Sequence, residues 1–326
     1  MSPYLTVRLC LLAALVLAGC SSSPKISEIE YPMSEREQKA ALAHSKPPQF
    51  YSFSAYRSGD GFAMNGKARL HSNQMATIEL LSGSIPVIKM RGRSPRMKLN
   101  ALLDPSSPDT WMEFNTSQEF NANFMGMEGQ NISYRGGYNT GMSPGYAAVV
   151  TQLRIDQLFI ENCPLYVRMA QNSLGPMARG IKVPHVDAVL GNDFLQTFEF
   201  VQYDFYNNVI KFSVSNPYMP HEDLLISAAK IVRNPNFGLA VEGAIFGKST
   251  PIILDFAGDY YFARGDVKVS STKQVSLGNV VYRKVPTLLL PPNSSLPRAG
   301  RKMLEKYIIT VCNREGIVYF ERMPGE

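Results

Sequence analysis

Two stretches of this chain are written twice. Gly191-Asn-Asp-Phe-Leu-Gln-Thr-Phe198 lies over Gly300-Arg-Lys-Met-Leu-Glu-Lys-Tyr307 with no gap, placing Leu195 on Leu304 and Phe198 on Tyr307. Continued without a gap, the match puts Phe200 on Ile309, Asn207 on Gly316 and Val209 on Val318. Upstream, Asn100-Ala-Leu-Leu-Asp104 matches Pro251-Ile-Ile-Leu-Asp255. An internal repeat of this kind predicts two copies of one structural unit packed about a pseudo-twofold axis. Each copy reads as an apolar strand ending in an acid, a turn, a glycine, a helical turn and a closing hairpin. The first copy is longer between acid and glycine. Its excess covers the Gly-, Asn- and Tyr-rich stretch 125–146 around Tyr138, which reads as a long loop or hairpin.

The rest of the pattern is strand-like. Thr77 to Leu81, Ile85 to Met90 and Met97 to Leu103 are short β-type runs punctuated by Gly, Ser and Pro. Ala147 to Leu153, Leu158 to Ile160, Leu165 to Ala170 and the apolar Val186 to Leu190 continue it. Phe198 to Tyr203 and Asn208 to Val214 predict a hairpin around Tyr206-Asn207-Asn208. The expected class is all-β with few short helices.

Asp104 and Asp255 each end an apolar strand and enter a tight turn. An Asp before Pro or Gly is often only a turn residue that bonds its own backbone. The duplication gives the pair a second meaning. Two carboxylates brought together by twofold packing cannot both ionise, so they share a proton and their titrations split. One can then activate water while the other protonates a carbonyl oxygen, which is peptide hydrolysis without a covalent intermediate.

Asp104-Pro-Ser-Ser-Pro-Asp-Thr-Trp111 resembles the Asp-Thr-Gly-Ser-Ser loop of pepsin-like and retropepsin-like aspartic peptidases, and Val186-Asp-Ala-Val-Leu-Gly-Asn-Asp-Phe-Leu195 resembles their apolar-apolar-Gly segment. The resemblance covers about Gln74 to Pro324 and implies a two-lobed fold: an N-terminal lobe at 74–220 and a C-terminal lobe at 221–326. It also implies an Asp104/Asp255 dyad, supported by Pro105, Ser106, Ser107, Phe256, Ala257 and Gly258. Ser107 takes the position of a serine that bonds the aspartate in many members. The Tyr138 stretch falls where the family has a lid over its substrate, and Trp111, Tyr138 and Tyr260 are expected to line the cleft. The loops depart from the family where its Thr-Gly grips the opposite lobe. Pro105 has neither hydroxyl nor N–H, Phe256 adds a bulky ring, and Ser106 and Ala257 carry a Cβ where glycine is usual. The expectation is therefore a non-catalytic or weakly active relative that binds an extended peptide or envelope component between the lobes. The alternative is an active aspartic endopeptidase.

The N-terminus adds a location. Arg8 precedes the apolar run Leu9 to Leu17, which ends in Leu17-Ala-Gly-Cys20. The run is too short to span a bilayer and reads as an export signal. The Cys after Ala-Gly makes it resemble a bacterial lipoprotein signal, with residues 1–19 removed and Cys20 carrying the lipid; an ordinary secretory signal is the other reading. Residues 20–73 are expected to form a tether with a short helix, opened by the capping-box pattern Ser34-Glu-Arg-Glu37 and stopped by Pro47-Pro48. Ser21 after the Cys suggests the outer membrane, with the body facing the periplasm. The membrane, reached through the lipid, is then one partner. The compartment allows Cys163 and Cys312 to form a disulfide or to remain two buried thiols. Net charge is +6, but no Lys/Arg run interleaves with aromatics, so nucleic acid is not an expected partner. Four scattered histidines suggest no metal site, no cofactor is expected, and the absence of Gly-x-Ser-x-Gly argues against a serine hydrolase of that type.

Overall fold

A computed structural model describes residues 33–58, 61–71, 75–81, 85–127, 130–134, 144–170, 185–234, 237–265, 270–290 and 296–325. The chain is mostly β. The first copy of the repeat supplies β1 (Met75–Glu79), β2 (Val87–Arg91), β3 (Lys98–Leu103), β4 (Trp111–Glu113), β5 (Gly145–Ile155), β6 (Leu158–Arg168), β7 (Ala188–Leu190), β8 (Phe200–Asp204) and β9 (Val209–Ser213). The second supplies β10 (Leu225–Val232), β11 (Ala240–Ile245), β12 (Lys248–Asp255), β13 (Phe262–Arg264), β14 (Ser271–Leu277), β15 (Val280–Leu289), β16 (Arg298–Gly300), β17 (Ile308–Cys312) and β18 (Ile317–Glu321).

Strands β2 to β7 close into a six-stranded barrel in the order β5-β2-β3-β7-β4-β6, with β6 returning to β5. Strands β11 to β16 close a second barrel in the equivalent order β14-β11-β12-β16-β13-β15. The senses also repeat. β3–β7 and β4–β6 are parallel and the other first-barrel pairs antiparallel. Likewise β12–β16 and β13–β15 are parallel and the remainder antiparallel. Closure removes the free edges that a sheet otherwise exposes. The strands left over form an antiparallel sheet, β10-β18-β17-β8-β9-β1, to which both copies contribute three strands. Its centre is the pairing of β8 with β17, Phe200 opposite Cys312 and Tyr203 opposite Ile309.

The short helices α3 (Asn192–Leu195) and α4 (Arg301–Leu304) follow Gly191 and Gly300, as the ungapped match predicts. The hairpins after them are one residue closer to the helix in the second copy. Phe200 pairs Ser213 in one, and Ile308 pairs Glu321 in the other. Phe200 therefore corresponds to Ile308, and the left-handed turn residue Asn208 (φ 59°), not Asn207, corresponds to Gly316 (φ 72°). A strand slipped by one residue turns every side chain to the other face, and only the corrected register puts the buried Phe212 and Phe320 in matching places.

Helix α1 (Glu35–Leu42) carries the predicted capping box, with Ser34 accepting from the Glu37 N–H and the Glu37 side chain accepting from the Ser34 N–H. The segment around it is laid against the first barrel. Met33 donates its N–H to Met169 O at 3.1 Å, Lys46 pairs with Met125, and Tyr51 and Phe53 pack on Met125, Ile132, Ala147 and Val149. The extra length of the first copy includes α2 (Phe114–Glu119), whose first N–H groups are accepted by the Glu113 carboxylate. Cys163 lies in β6 and Cys312 in β17 as separate buried thiols, not a disulfide. Burial pushes both thiols up, Cys312 to about 12. No described helix is long and apolar enough to cross a membrane.

Candidate functional site at the paired aspartates

Each acid stands at the end of the strand that pairs in parallel with a glycine-ended strand. Asp104 donates its N–H to Leu190 O at 3.1 Å, and Asp255 pairs with Gly300. The glycines are required by close approach of the loop behind each acid. A Cβ on Gly191 would lie 2.2 Å from Asp109 O, and one on Gly300 would lie 2.3 Å from Tyr260 O. The same crossing is built twice, which is why the glycine is written twice.

The two loops meet. Leu239 N–H donates to Pro105 O at 2.6 Å, and a Cβ on the preceding Gly238 would fall 2.3 Å from that oxygen. The grip has one side only. Leu239 and Pro86 are equivalents, each accepting from the strand before its acid, from Leu254 N and Leu103 N at 2.9 Å. Pro86 has no N–H to return the bond.

Both carboxyls are buried, Asp104 at 5% and Asp255 at 7% exposure. Asp104 Oδ1 accepts from Ser106 N at 3.1 Å and Ser106 Oγ at 2.6 Å. Asp255 is engaged on both oxygens: Gly258 N donates to Oδ1 at 2.7 Å and Tyr260 OH to Oδ2 at 2.5 Å. Arg298 joins the loops, its Nη1 lying 3.4 Å from Ser106 Oγ and 3.9 Å from Asp255 Oδ2. Burial, and next the charge of neighbouring Asp104, push Asp255 up to about 6, against the lowering by Tyr260, Arg298 and the Gly258 N–H. Burial and then Asp255 hold the Tyr260 phenol well above its usual range, so it is a donor throughout ordinary pH.

Several expected roles are redistributed. Ser107 donates its hydroxyl to Asp109 O at 2.7 Å rather than to the Asp104 carboxylate; Ser106 takes that part. The Phe256 ring leaves the loop and stacks on Tyr203 of β8 in the shared sheet, centroids 4.0 Å apart and planes 7° apart, so it does not crowd the acids. Ala257 is buried beside it. Trp111 is a core residue, packed on Tyr166 and filling the space where a Cβ on Gly145 would lie 2.4 Å from its ring. Tyr138 and Cys20 lie outside the described residues.

Sequence reasoning missed Arg298. It stands before Ala-Gly300 where the first copy has Val189 before Leu-Gly191, so the aligned copies already carried the signal: a cation in an apolar strand. It also missed the layer behind the loops. Thr110 Oγ1 donates to Asp193 Oδ1 at 2.6 Å and accepts from Gly191 N at 3.0 Å. Burial raises Asp193 to about 7 and Asp109 to about 6. Behind the second loop the chemistry is ionic instead: Arg301 binds Asp259 and Glu305, with Lys302 3.3 Å from Asp259.

A cavity of about 370 Å³ opens elsewhere, on the shared sheet, lined by Gln202, Asp204, Tyr218, His221 and Glu321 among others. Several of its polar groups are already matched: Glu321 by Tyr218 and the His221 N–H, Gln202 by Thr310, Asp204 by Asn207. It contains neither loop acid. Among the described residues no three His, Cys, Asp or Glu side chains gather as metal ligands. No protein-family model matches this chain, and comparison with curated proteins finds no significant relative.

Proposed function

We propose that this chain is a lipid-tethered bacterial envelope protein of the pepsin/retropepsin-like fold, and that the cleft at Asp104 and Asp255 binds an extended peptide or envelope component with little or no hydrolysis. The duplicated barrels with an acid at the same strand end support the fold reading. The observation that carries the binding reading is the engagement of Asp255 on both oxygens by Gly258 N and Tyr260 OH, with Arg298 alongside. A carboxylate so occupied is a poor base for a water. The missing return bond at Pro86 removes part of the rigid support that a working dyad needs. A small misplacement of reacting groups lowers rate by about a hundredfold.

One observation favours the second reading, an active aspartic endopeptidase. Asp255 is raised to about 6 with Asp104 as a cause, as expected of two acids holding one proton. Activity would then favour acid pH. The test is incubation of the purified protein with a diverse peptide library from acid to neutral pH, beside Asp104→Asn and Asp255→Asn. The binding reading expects no cleavage by any of the three. Cleavage by the wild type alone would establish the enzyme and end the non-catalytic reading.

A further inference from the structure

Arg298 is a cation only loosely matched inside the protein: its ion pair with Asp255 is long and its hydrogen bond to Ser106 is weak. It stands in β16, the middle strand between β12 and β13, and reaches out of the second barrel to a loop of the first. Among the described residues its one hydrogen bond is the long 3.4 Å contact to Ser106 Oγ, itself already committed to Asp104. Asp255 Oδ2 is 3.9 Å away, beyond hydrogen-bond reach, and is taken by Tyr260. The guanidinium Nε is buried with no acceptor at all. A guanidinium offers five N–H donors in a planar fork, and a donor buried without a partner is destabilising until an acceptor is supplied. About a third of the side chain stays open to solvent, so a ligand can reach its outer edge.

We propose that Arg298 is the specificity-determining residue of this cleft, and that it selects peptides presenting a carboxylate, from a free C-terminus or an acidic side chain, beside the paired aspartates. The proposal rests on the peptide-binding reading above. A carboxylate fits because it takes two parallel N–H donors of a guanidinium at once, a match that a neutral amide lacks. The two aspartates do not forbid it. Arg298 lies 3.9 Å from Asp255 Oδ2, and donation from Gly258 N and Tyr260 OH further reduces the charge that Asp255 presents to a ligand. Hydrogen bonds between charged groups are stronger than neutral ones, so the preference should be at least about tenfold.

The test uses the full-length protein in detergent and fluorescein-labelled decapeptide pools in four forms, with free-acid or amidated C-termini and with or without Asp and Glu. Binding is read by fluorescence anisotropy at fixed salt, beside Arg298→Leu and Arg298→Lys. The expected result is about tenfold tighter binding of one or both carboxylate-bearing forms over the amidated, acid-free pool. The arms separate C-terminal from side-chain carboxylates. The preference should vanish in Arg298→Leu and shrink in Arg298→Lys, which keeps the charge without the fork. Equal binding of all four pools would overturn the specificity while leaving the peptide-binding reading standing, as would a preference that survives in either folded variant undiminished. Failure of every pool to bind would overturn both. Should Arg298→Leu fail to fold, Arg298→Lys alone still decides, since an unchanged preference there refutes a role for the guanidinium fork.

Discussion

The first aspartate loop and the second share a backbone and almost nothing else. In both, the chain turns at the acid, passes over a glycine and enters a strand that pairs in parallel within its barrel. The groups around that path differ. Asp104 is held by the N–H and hydroxyl of Ser106, two residues on, whereas Asp255 is held by Gly258 and the phenol of Tyr260. Behind the first loop sit raised carboxyls, Asp109 and Asp193; behind the second sit Asp259, Arg301 and Lys302 as ion pairs. Contacts that depend on how closely two backbones pass admit one solution, glycine, and were kept in both copies. Contacts made by side chains admit many, and diverged.

The largest expected effect tests the shared part. Gly191→Ala and Gly300→Ala each place a methyl about 2 Å from a backbone oxygen that no rotamer change can move. Each should lose roughly 3 kcal/mol or more of stability by urea unfolding, and the two losses should be alike. A large loss at one and none at the other would show that the two crossings are not equivalent.

The next effect separates the loops by pH. Asp109, Asp193 and Asp255 are raised from 3.8 to about 6, about 7 and about 6, with burial the first cause in each. As pH climbs past about 4 the unfolded chain releases these protons while the folded protein keeps them. Their contribution to stability is therefore greatest at acid pH, falls between about pH 4 and about pH 7, and then levels off. Two of the three lie behind or within the first loop. Asp193→Asn should remove on the order of 4 kcal/mol of that fall, read as a flatter profile of unfolding free energy against pH. An unchanged profile in Asp193→Asn would show that this carboxyl is not raised.

What the sequence made legible follows the same division. Gly191 and Gly300 stood out because close backbone passage leaves no freedom of residue type, and Asp104 and Asp255 because each ends a matching apolar run. The capping box at Ser34 and Glu37 was legible because it is local. The hairpin register was not. Every position of β8 and β17 is buried, so no inward–outward alternation marks the register. The packing of Met33 to Phe53 on the first barrel was hidden because its partners, such as Met125, Ala147 and Met169, lie far along the chain. Ser106 and Ser107 exchanged roles because the turn alone decides which hydroxyl faces the acid.

A smaller effect sharpens the contrast in how the acids are held. Tyr260→Phe removes a hydrogen bond to a buried carboxylate and should lose about 1–2 kcal/mol. It should also move Asp255 above about 6, because the phenol now lowers it, as a carboxyl NMR titration would report. Ser106→Ala keeps the 3.1 Å N–H bond to Asp104 and should lose less. The reverse order would mean that the first acid, not the second, is the more tightly held.

The smallest effect asks whether the one-sided grip can be completed. Leu239 donates to Pro105 O, and Pro86, its counterpart, has no hydrogen to give. Pro86→Ala supplies an N–H at that place, where the matching acceptor is the carbonyl of Phe256. A new bond is worth about 1 kcal/mol. Replacing proline also frees the unfolded chain, which costs roughly as much. The stacking of Phe256 on Tyr203 fixes the second loop independently of that bond, so the loop has little to gain in order from it. The net change in urea unfolding should therefore stay within about 0.5 kcal/mol. A gain well above that would mean the second loop was waiting for its missing partner. Pro86→Ala would then be the variant in which to look again for cleavage, because a two-sided grip is the support the aspartates lack.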